Sequence, residues 1–237
     1  MNNPIFRDIE KRLAESLNLQ RRPVAIAFRE SPPEGVPKLE GTQPSGCSFW
    51  RLAAEGRVFY TVPADHYNCP VGSYTHNIEL PENRARELYQ TLELMTGIGY
   101  IRMEDIPGVF RLPGTPAVTI YAPLGDAPVD PDVVMFSGRP ASLMLLEEAA
   151  MRAGVAAQLP MFARPTCMAI PASLAQGTVA SAGCIGNRVY TGIGEDELYV
   201  AVPGRDLKRI AGEVATIAAA NSRLTAYHRE RRATLAQ

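Results

Sequence analysis

Ile5, Phe6, Ile9, Leu13 and Leu17 recur at helical spacing, which predicts an amphipathic helix over 4–17. The apolar run Pro23-Val24-Ala25-Ile26-Ala27-Phe28 is suited to a buried strand, and the proline- and glycine-rich stretch 30–45 to a loop. A short helix is expected from Arg51 to Glu55, stopped by Gly56, and a strand from Val58 to Val62. Residues 63–80 show no period and are read as an ordered loop. The clearest helix runs from Glu82 to Thr96, with Pro81 before its first turn and Gly97 behind its last. Ala117–Tyr121 and Val133–Phe136 are strand-like. Pro140 opens a second strong helix, with Leu143, Leu146, Ala150 and Met151 on one side and Gly154 after it. Residues 155–186 are read as irregular, Glu197–Val202 as a strand, and about 205–232 as a last helix. The closing Arg229, Arg231 and Arg232 of that helix suit its dipole. Short strands alternating with longer helices give an α+β class, a mixed sheet with packed helices, in one domain over 1–237.

Composition narrows the function classes. The 237 residues carry a net charge of −1, with 46% hydrophobic and 21% charged residues. That balance suits a globular chain with its own core. It lacks the basic excess of a nucleic-acid or anionic-membrane binder. No stretch approaches the length of a membrane helix, and the first residues show no apolar signal core. A cytoplasmic protein with reduced thiols is expected, open to a small-molecule ligand and to homo-oligomerisation.

Four cysteines occupy unusual settings: Gly46-Cys47-Ser48-Phe49-Trp50, Asn68-Cys69-Pro70-Val71-Gly72, Pro165-Thr166-Cys167-Met168 and Gly183-Cys184-Ile185-Gly186-Asn187-Arg188. They fall as one pair in each half. The segment from Cys47 through Gly56-Arg57-Val58 to Cys69 resembles the one from Cys167 through Gly177-Thr178-Val179 to Cys184. A strand candidate precedes each, at Val24–Phe28 and Val133–Phe136. The pattern suggests an internal duplication with halves of about 20–125 and 126–225, and a pseudo-twofold axis that brings the cysteine loops together.

Four converging thiolates suit tetrahedral zinc or an iron–sulfur cluster. The chain lacks the Cys-x-x-Cys spacing of most zinc modules. Cys47, Cys69, Cys167 and Cys184 are the expected metal ligands. Trp50, His66, Tyr67, Asn187 and Arg188 are the expected cofactor-contacting residues, with His66 a substitute ligand or a partner behind the ligands. Two other readings stay open. One is a metal-free small-molecule pocket between the halves, lined by Trp50, Tyr67, Tyr190 and Arg188. The other is thiol catalysis by Cys69 with His66. No phosphate loop, nucleophile elbow or His-Glu-x-x-His motif is present, so no reaction is assigned.

Cys47-Ser48-Phe49-Trp50-Arg51, Asp65-His66-Tyr67-Asn68-Cys69-Pro70-Val71-Gly72, Arg164-Pro165-Thr166-Cys167-Met168 and Gly183-Cys184-Ile185-Gly186-Asn187-Arg188-Val189-Tyr190 carry a family resemblance. The chain resembles, over nearly its whole length, the archaeal and bacterial domain-of-unknown-function family numbered 169. The resemblance implies a soluble stand-alone protein of this length and no settled activity.

Overall fold

The structure is a computed structural model that describes residues 4–155, 161–163 and 165–235. Arg164, part of the third motif, lies outside the described residues. In chain order the elements are α1 (Pro4–Leu17), β1 (Val24–Arg29), α2 (Cys47–Ala54), β2 (Phe59–Thr61), α3 (Pro70–Thr75), α4 (Glu82–Gly97) and β3 (Val118–Pro123). There follow β4 (Val133–Gly138), α5 (Pro140–Arg152), α6 (Ala169–Gln176), β5 (Val179–Ser181), α7 (Ile185–Thr191), β6 (Leu198–Pro203) and α8 (Leu207–Leu235). The strands form one sheet in the order β2-β3-β1-β4-β6-β5, and every pairing in it is antiparallel.

Successive side chains of a strand face opposite ways, and the sheet uses both faces. Ala25, Val134, Phe136, Val200 and Val202 point to one side. There they meet Phe6, Ile9, Leu13 and Leu17 of α1, Leu143 and Leu146 of α5, and Leu207, Ile210 and Val214 of α8. Val24, Ile26, Val133, Met135, Tyr199 and Ala201 point to the other. Their partners there are Phe49 and Trp50 of α2, Ile170 of α6, and the thiols Cys47 and Cys167. Burial on both faces explains why β1 and β4 read as continuous apolar runs. The helical spacing of α1 is realised as expected: its apolar positions are buried except Ile5, which is half exposed.

The strand order reads the same when the two halves are exchanged, and so does the register. Val24 of β1 faces Pro123 of β3; the corresponding Val133 of β4 faces Pro203 of β6. Phe59 of β2 faces Tyr121, and Val179 of β5 faces Ala201. Phe59, one residue beyond the Val58 of the sequence comparison, is therefore the counterpart of Val179. β1 and β4 pair antiparallel across the axis. Even the first turns after β3 and β6 agree: Leu124 N–H donates to the Pro23 carbonyl at 2.8 Å, and Gly204 N–H donates to that of Asp132 at 2.8 Å. The agreement ends at side-chain size. A Cβ on Gly204 would stand 1.7 Å from the Pro131 carbonyl oxygen.

Two stretches expected to be loops contain regular structure. Residues 63–80 hold a 3-10 turn, Pro63–His66, and α3. The irregular span 155–186 holds another 3-10 turn, Thr166–Met168, then α6, β5 and the start of α7. These pieces are three to eight residues long. So short a piece shows little of the 3.6-residue period, and packing holds it, α6 on β5 and β6, α7 on α2, and α3 on α4 and the two 3-10 turns. The last helix begins at Leu207 and runs 29 residues, about 43 Å at 1.5 Å per residue. Its buried side chains are Leu207, Ile210, Ala211 and Val214, so its later turns extend beyond the core.

Candidate functional site

Each cysteine stands where a helical segment starts. Cys47 is the first residue of α2. Cys167 lies in the 3-10 turn that runs into α6. Cys69 is the residue before α3, and Cys184 the residue before α7. The twofold relation thus pairs Cys47 with Cys167 and Cys69 with Cys184. Backbone N–H groups at helix starts have no intrahelical partner, and the sulfurs use them. Asn187 N–H donates to Cys184 Sγ at 3.5 Å. The N–H groups of Gly46 and Gly72 act on Cys69 Sγ and favour its thiolate. Gly72 has to be small, because a Cβ there would lie 2.8 Å from that sulfur.

The halves interlock at the thiols. Cys167 Sγ points to the Val71 carbonyl at 4.0 Å, and Cys184 N–H donates to Thr166 Oγ1 at 2.6 Å. Burial pushes the Cys47 thiol well up, and charge on Cys167, on Cys69 and on Cys184 would raise it further. Burial likewise raises Cys167, with charge on Cys69 and Cys184 adding to the effect and the Thr75 hydroxyl opposing it. Burial also raises Cys69. All four cysteines are free thiols, with Cys47 and Cys167 buried and Cys69 and Cys184 half-buried. Cys47 thus feels charge on a cysteine of the other half, and both Cys47 and Cys167 are removed from water. Among the described residues, no group of three or more His, Cys, Asp or Glu is placed to hold a metal ion.

Asn187 is the most informative polar neighbour. It is only 2% exposed, and among the described residues neither its amide oxygen nor its amide nitrogen has a partner in good hydrogen-bond geometry. The amide nonetheless lies close enough to the Cys47 thiol and the Tyr199 hydroxyl to favour their ionised forms. A buried polar group without a partner costs about 1–3 kcal/mol. Asn187→Leu is therefore expected to raise the melting temperature of the metal-free chain by about 2–12 °C, read by circular dichroism. An unchanged or lower value would mean the amide is satisfied.

The other expected contact residues divide. Trp50 is buried and packs edge-on against Tyr199, with ring centroids 5.6 Å apart. The cavity beside it is about 20 Å³, room for one water and no ligand. Tyr67 is half-buried just behind the 3-10 turn at 63–66. Arg188 donates to the backbone carbonyls of Gly194 at 2.6 Å, Glu197 at 3.0 Å, and Ala182. Its guanidinium pins the loop after α7, and Tyr190 is exposed. The pocket pictured between the halves from Trp50, Tyr67, Tyr190 and Arg188 is thus not formed by these side chains.

His66 lies buried under the cysteine loops, with Nε2 paired to Thr61 Oγ1 at 2.9 Å and its ring 4.8 Å from that of Phe49. Burial, and then charge on His76, lowers its pKa to about 3. His76, not among the expected contacts, is buried 5.7 Å from it between ring centroids. Burial takes its pKa to about 4 against an opposing contact with the Gly72 carbonyl, and its Nε2 has no hydrogen-bond partner. Thr166 and Thr75 also went unforeseen. The position of Thr166 before Cys167, matching Gly46 before Cys47, is the signal that marks it.

The fold and the site define an α+β chain of two like halves, each with two free thiols at starts of helical segments. The chain belongs to domain-of-unknown-function family 169, described as an uncharacterised ArCR family, whose model matches residues 12–213. It is also similar to the uncharacterized protein MJ0308 of Methanocaldococcus jannaschii, with 26% identity over 219 residues, 86% of this chain and 91% of that one. No solved structure matches. No helix among the described residues is long and apolar enough to cross a membrane.

Proposed function

We propose that Cys47, Cys69, Cys167 and Cys184 ligate an iron–sulfur cluster, and that the protein is a cytoplasmic one doing redox or small-molecule chemistry there. The observation that carries this reading is that both halves bring their cysteines to starts of helical segments, where charge on Cys167, Cys69 and Cys184 would oppose ionisation of the buried Cys47 thiol. A bound cation would reverse that opposition and favour thiolates. A single zinc ion, with bonds of about 2.3 Å, requires sulfurs within about 4 Å of one another. Among the described residues no group of three or more His, Cys, Asp or Glu side chains is placed around one ion. A cluster interposes its own iron and sulfide and so takes a wider ring of sulfurs. When bound it supplies one-electron transfer or a Lewis-acidic iron. The chain's residues would do the rest. The N–H groups of Gly46, Gly72 and Asn187 would stabilise negative sulfur, the buried side chains would exclude water, and the Asn187 amide would be free to bond to a sulfur or sulfide.

Thiol catalysis by Cys69 with His66 has less support. An ion pair needs a raised imidazole and a lowered thiol, and burial moves both the other way. The decisive measurement is iron, acid-labile sulfide and zinc in anaerobically purified protein, with visible absorption. Iron and sulfide in like amounts, lost in Cys47→Ala and Cys184→Ala, are expected. Zinc without sulfide would replace the cluster by a single ion. Less than about a tenth of an equivalent of each, in folded protein, would remove the metal reading altogether.

A further inference from the structure

α4 is the clearest helix in the sequence and the least buried in the structure. None of its sixteen residues is buried. Yet Leu88, Leu92 and Met95 lie on one stripe of it, at spacings of four and three. That stripe does not meet the sheet. It roofs a cavity of about 330 Å³, closed at the far side by Ile106 and Val109 of the 3-10 turn Met103–Gly108 and the residue after it. The volume falls within the range of small-molecule sites, about 300–1,000 Å³.

The floor of the cavity adjoins the Cys167 thiol. Val71 and Tyr74 of α3 and Pro165 line it. The Val71 carbonyl is the group Cys167 Sγ approaches, and Pro165 lies two residues before that cysteine. The roof is tied to the same loop. Arg84 of α4 donates to Asn68 Oδ1 at 2.6 Å, one residue before Cys69, and Asn68 donates on to the Gln43 carbonyl at 3.2 Å. At the opposite end Arg111 stacks over the Tyr74 ring, 4.4 Å from its centroid, and donates to the Tyr74 carbonyl at 2.9 Å.

The lining selects the occupant. It is aliphatic apart from two tyrosine rings and Asp105, and Asp105 is paired with Arg102 at 2.9 Å. Among the described lining residues Asp105 is the one charged side chain and is already paired, so the lining favours a neutral occupant over an anion. The two tyrosine rings favour a ring in that occupant.

We propose that this cavity is a binding site for a neutral, ring-bearing, largely hydrocarbon molecule, held under α4 beside the segments that carry Cys69 and Cys167. Its role as the substrate site of a cysteine-ligated centre rests on the function proposed above; the binding itself does not.

The probe is N-phenyl-1-naphthylamine, a neutral two-part aromatic whose emission rises in apolar surroundings, titrated into the full chain. Saturable binding at one site is expected. Leu92→Trp, which fills the cavity, should weaken it at least about tenfold, a loss of about 1.4 kcal/mol. Leu88→Gln serves as the second variant if Leu92→Trp does not fold. The bound probe should also slow alkylation of the cysteines by iodoacetamide several-fold in metal-free protein. Linear, non-saturating emission, or equal affinity in wild type and both variants, overturns the proposal. So does a probe that binds only while splitting a dimer, which would make a second copy of the chain the natural cover of this face. The titration is repeated on Cys47→Ser. Probe binding there, with no iron in the wild type, would leave the cavity standing and the cluster refuted. Iron and sulfide without probe binding would do the reverse.

Discussion

Stability is expected to fall steeply as the pH drops from 6.5 towards 4, and to fall much less when His66 and His76 are both replaced by glutamine. Both imidazoles are neutral in the folded chain. Burial is the first cause at each, and charge on His76 adds to it at His66; the pKa values are held down to about 3 and about 4 from an ordinary 6.5. Above pH 6.5 neither the folded nor the unfolded chain protonates them, and stability is complete. Below it the unfolded chain takes up protons that the folded chain refuses. Each pH unit then removes about 1.4 kcal/mol per histidine until the folded value is reached. Two residues through this window amount to several kcal/mol, a large share of the 5–15 kcal/mol typical of a domain. Urea midpoints at pH 7, 5.5 and 4.5 for wild type and the double variant measure it. Parallel slopes for the two proteins would show that the imidazoles accept protons in place.

Gly204→Ala is expected to be the most damaging single methyl addition in the chain. The new Cβ would stand 1.7 Å from the Pro131 carbonyl oxygen and 2.6 Å from its carbon. Both atoms are backbone and cannot rotate aside. The turn after β6 would have to retreat from β4, stretching the 2.8 Å hydrogen bond from Gly204 N–H to the Asp132 carbonyl. A cost of about 3 kcal/mol or more follows. For a chain of this length that lowers the melting temperature by roughly 6–12 °C. Gly125→Ala is the control. Its Cβ would meet the end of the Glu10 side chain at 3.0 Å and Arg7 Cα at 3.2 Å, contacts that a rotation and a small shift relieve. Equal losses in the two variants would count against the close approach at Gly204.

Much of this architecture can be read from the residues, for identifiable reasons. α1, α4 and α5 span enough turns for their apolar period to show, and their termini carry proline or glycine. β1 and β4 are apolar on both sides because both faces of the sheet are covered. The short helices are another matter. α3 opens on Pro70 and contains Gly72; α6 has Pro171 within it; α7 contains Gly186. Such residues argue for loops, and only tertiary packing, on the sheet for α6 and on other helical segments for α3 and α7, makes helices of them. Their leading residues, Cys69 and Cys184, are not usual helix-capping residues, so the starts were hidden as well.

The site shows the same division. The four cysteines stood out because glycine and proline, not an apolar helix face, surround them. Asn187 and His66 were found through their closeness in sequence to a cysteine. Arg188 was found by the same rule, yet its guanidinium serves three carbonyls, a use that only the path of the loop after α7 reveals. The cavity under α4 has no signature at all. Leu88, Leu92 and Met95 spell an ordinary amphipathic stripe, and whether such a stripe meets a core or a void depends on the distance to the next layer.

The exchange relation between the halves carries a consequence for assembly. The central seam joins β1 to β4, strands that play equivalent parts, and the connection from β3 to β4 is short, spanning 124–132. A polypeptide holding only one half would expose along that seam a row of unpaired amides already matched to a second copy of itself. Two such fragments docked edge to edge would regenerate the whole six-stranded layer, with two sulfurs arriving from each molecule.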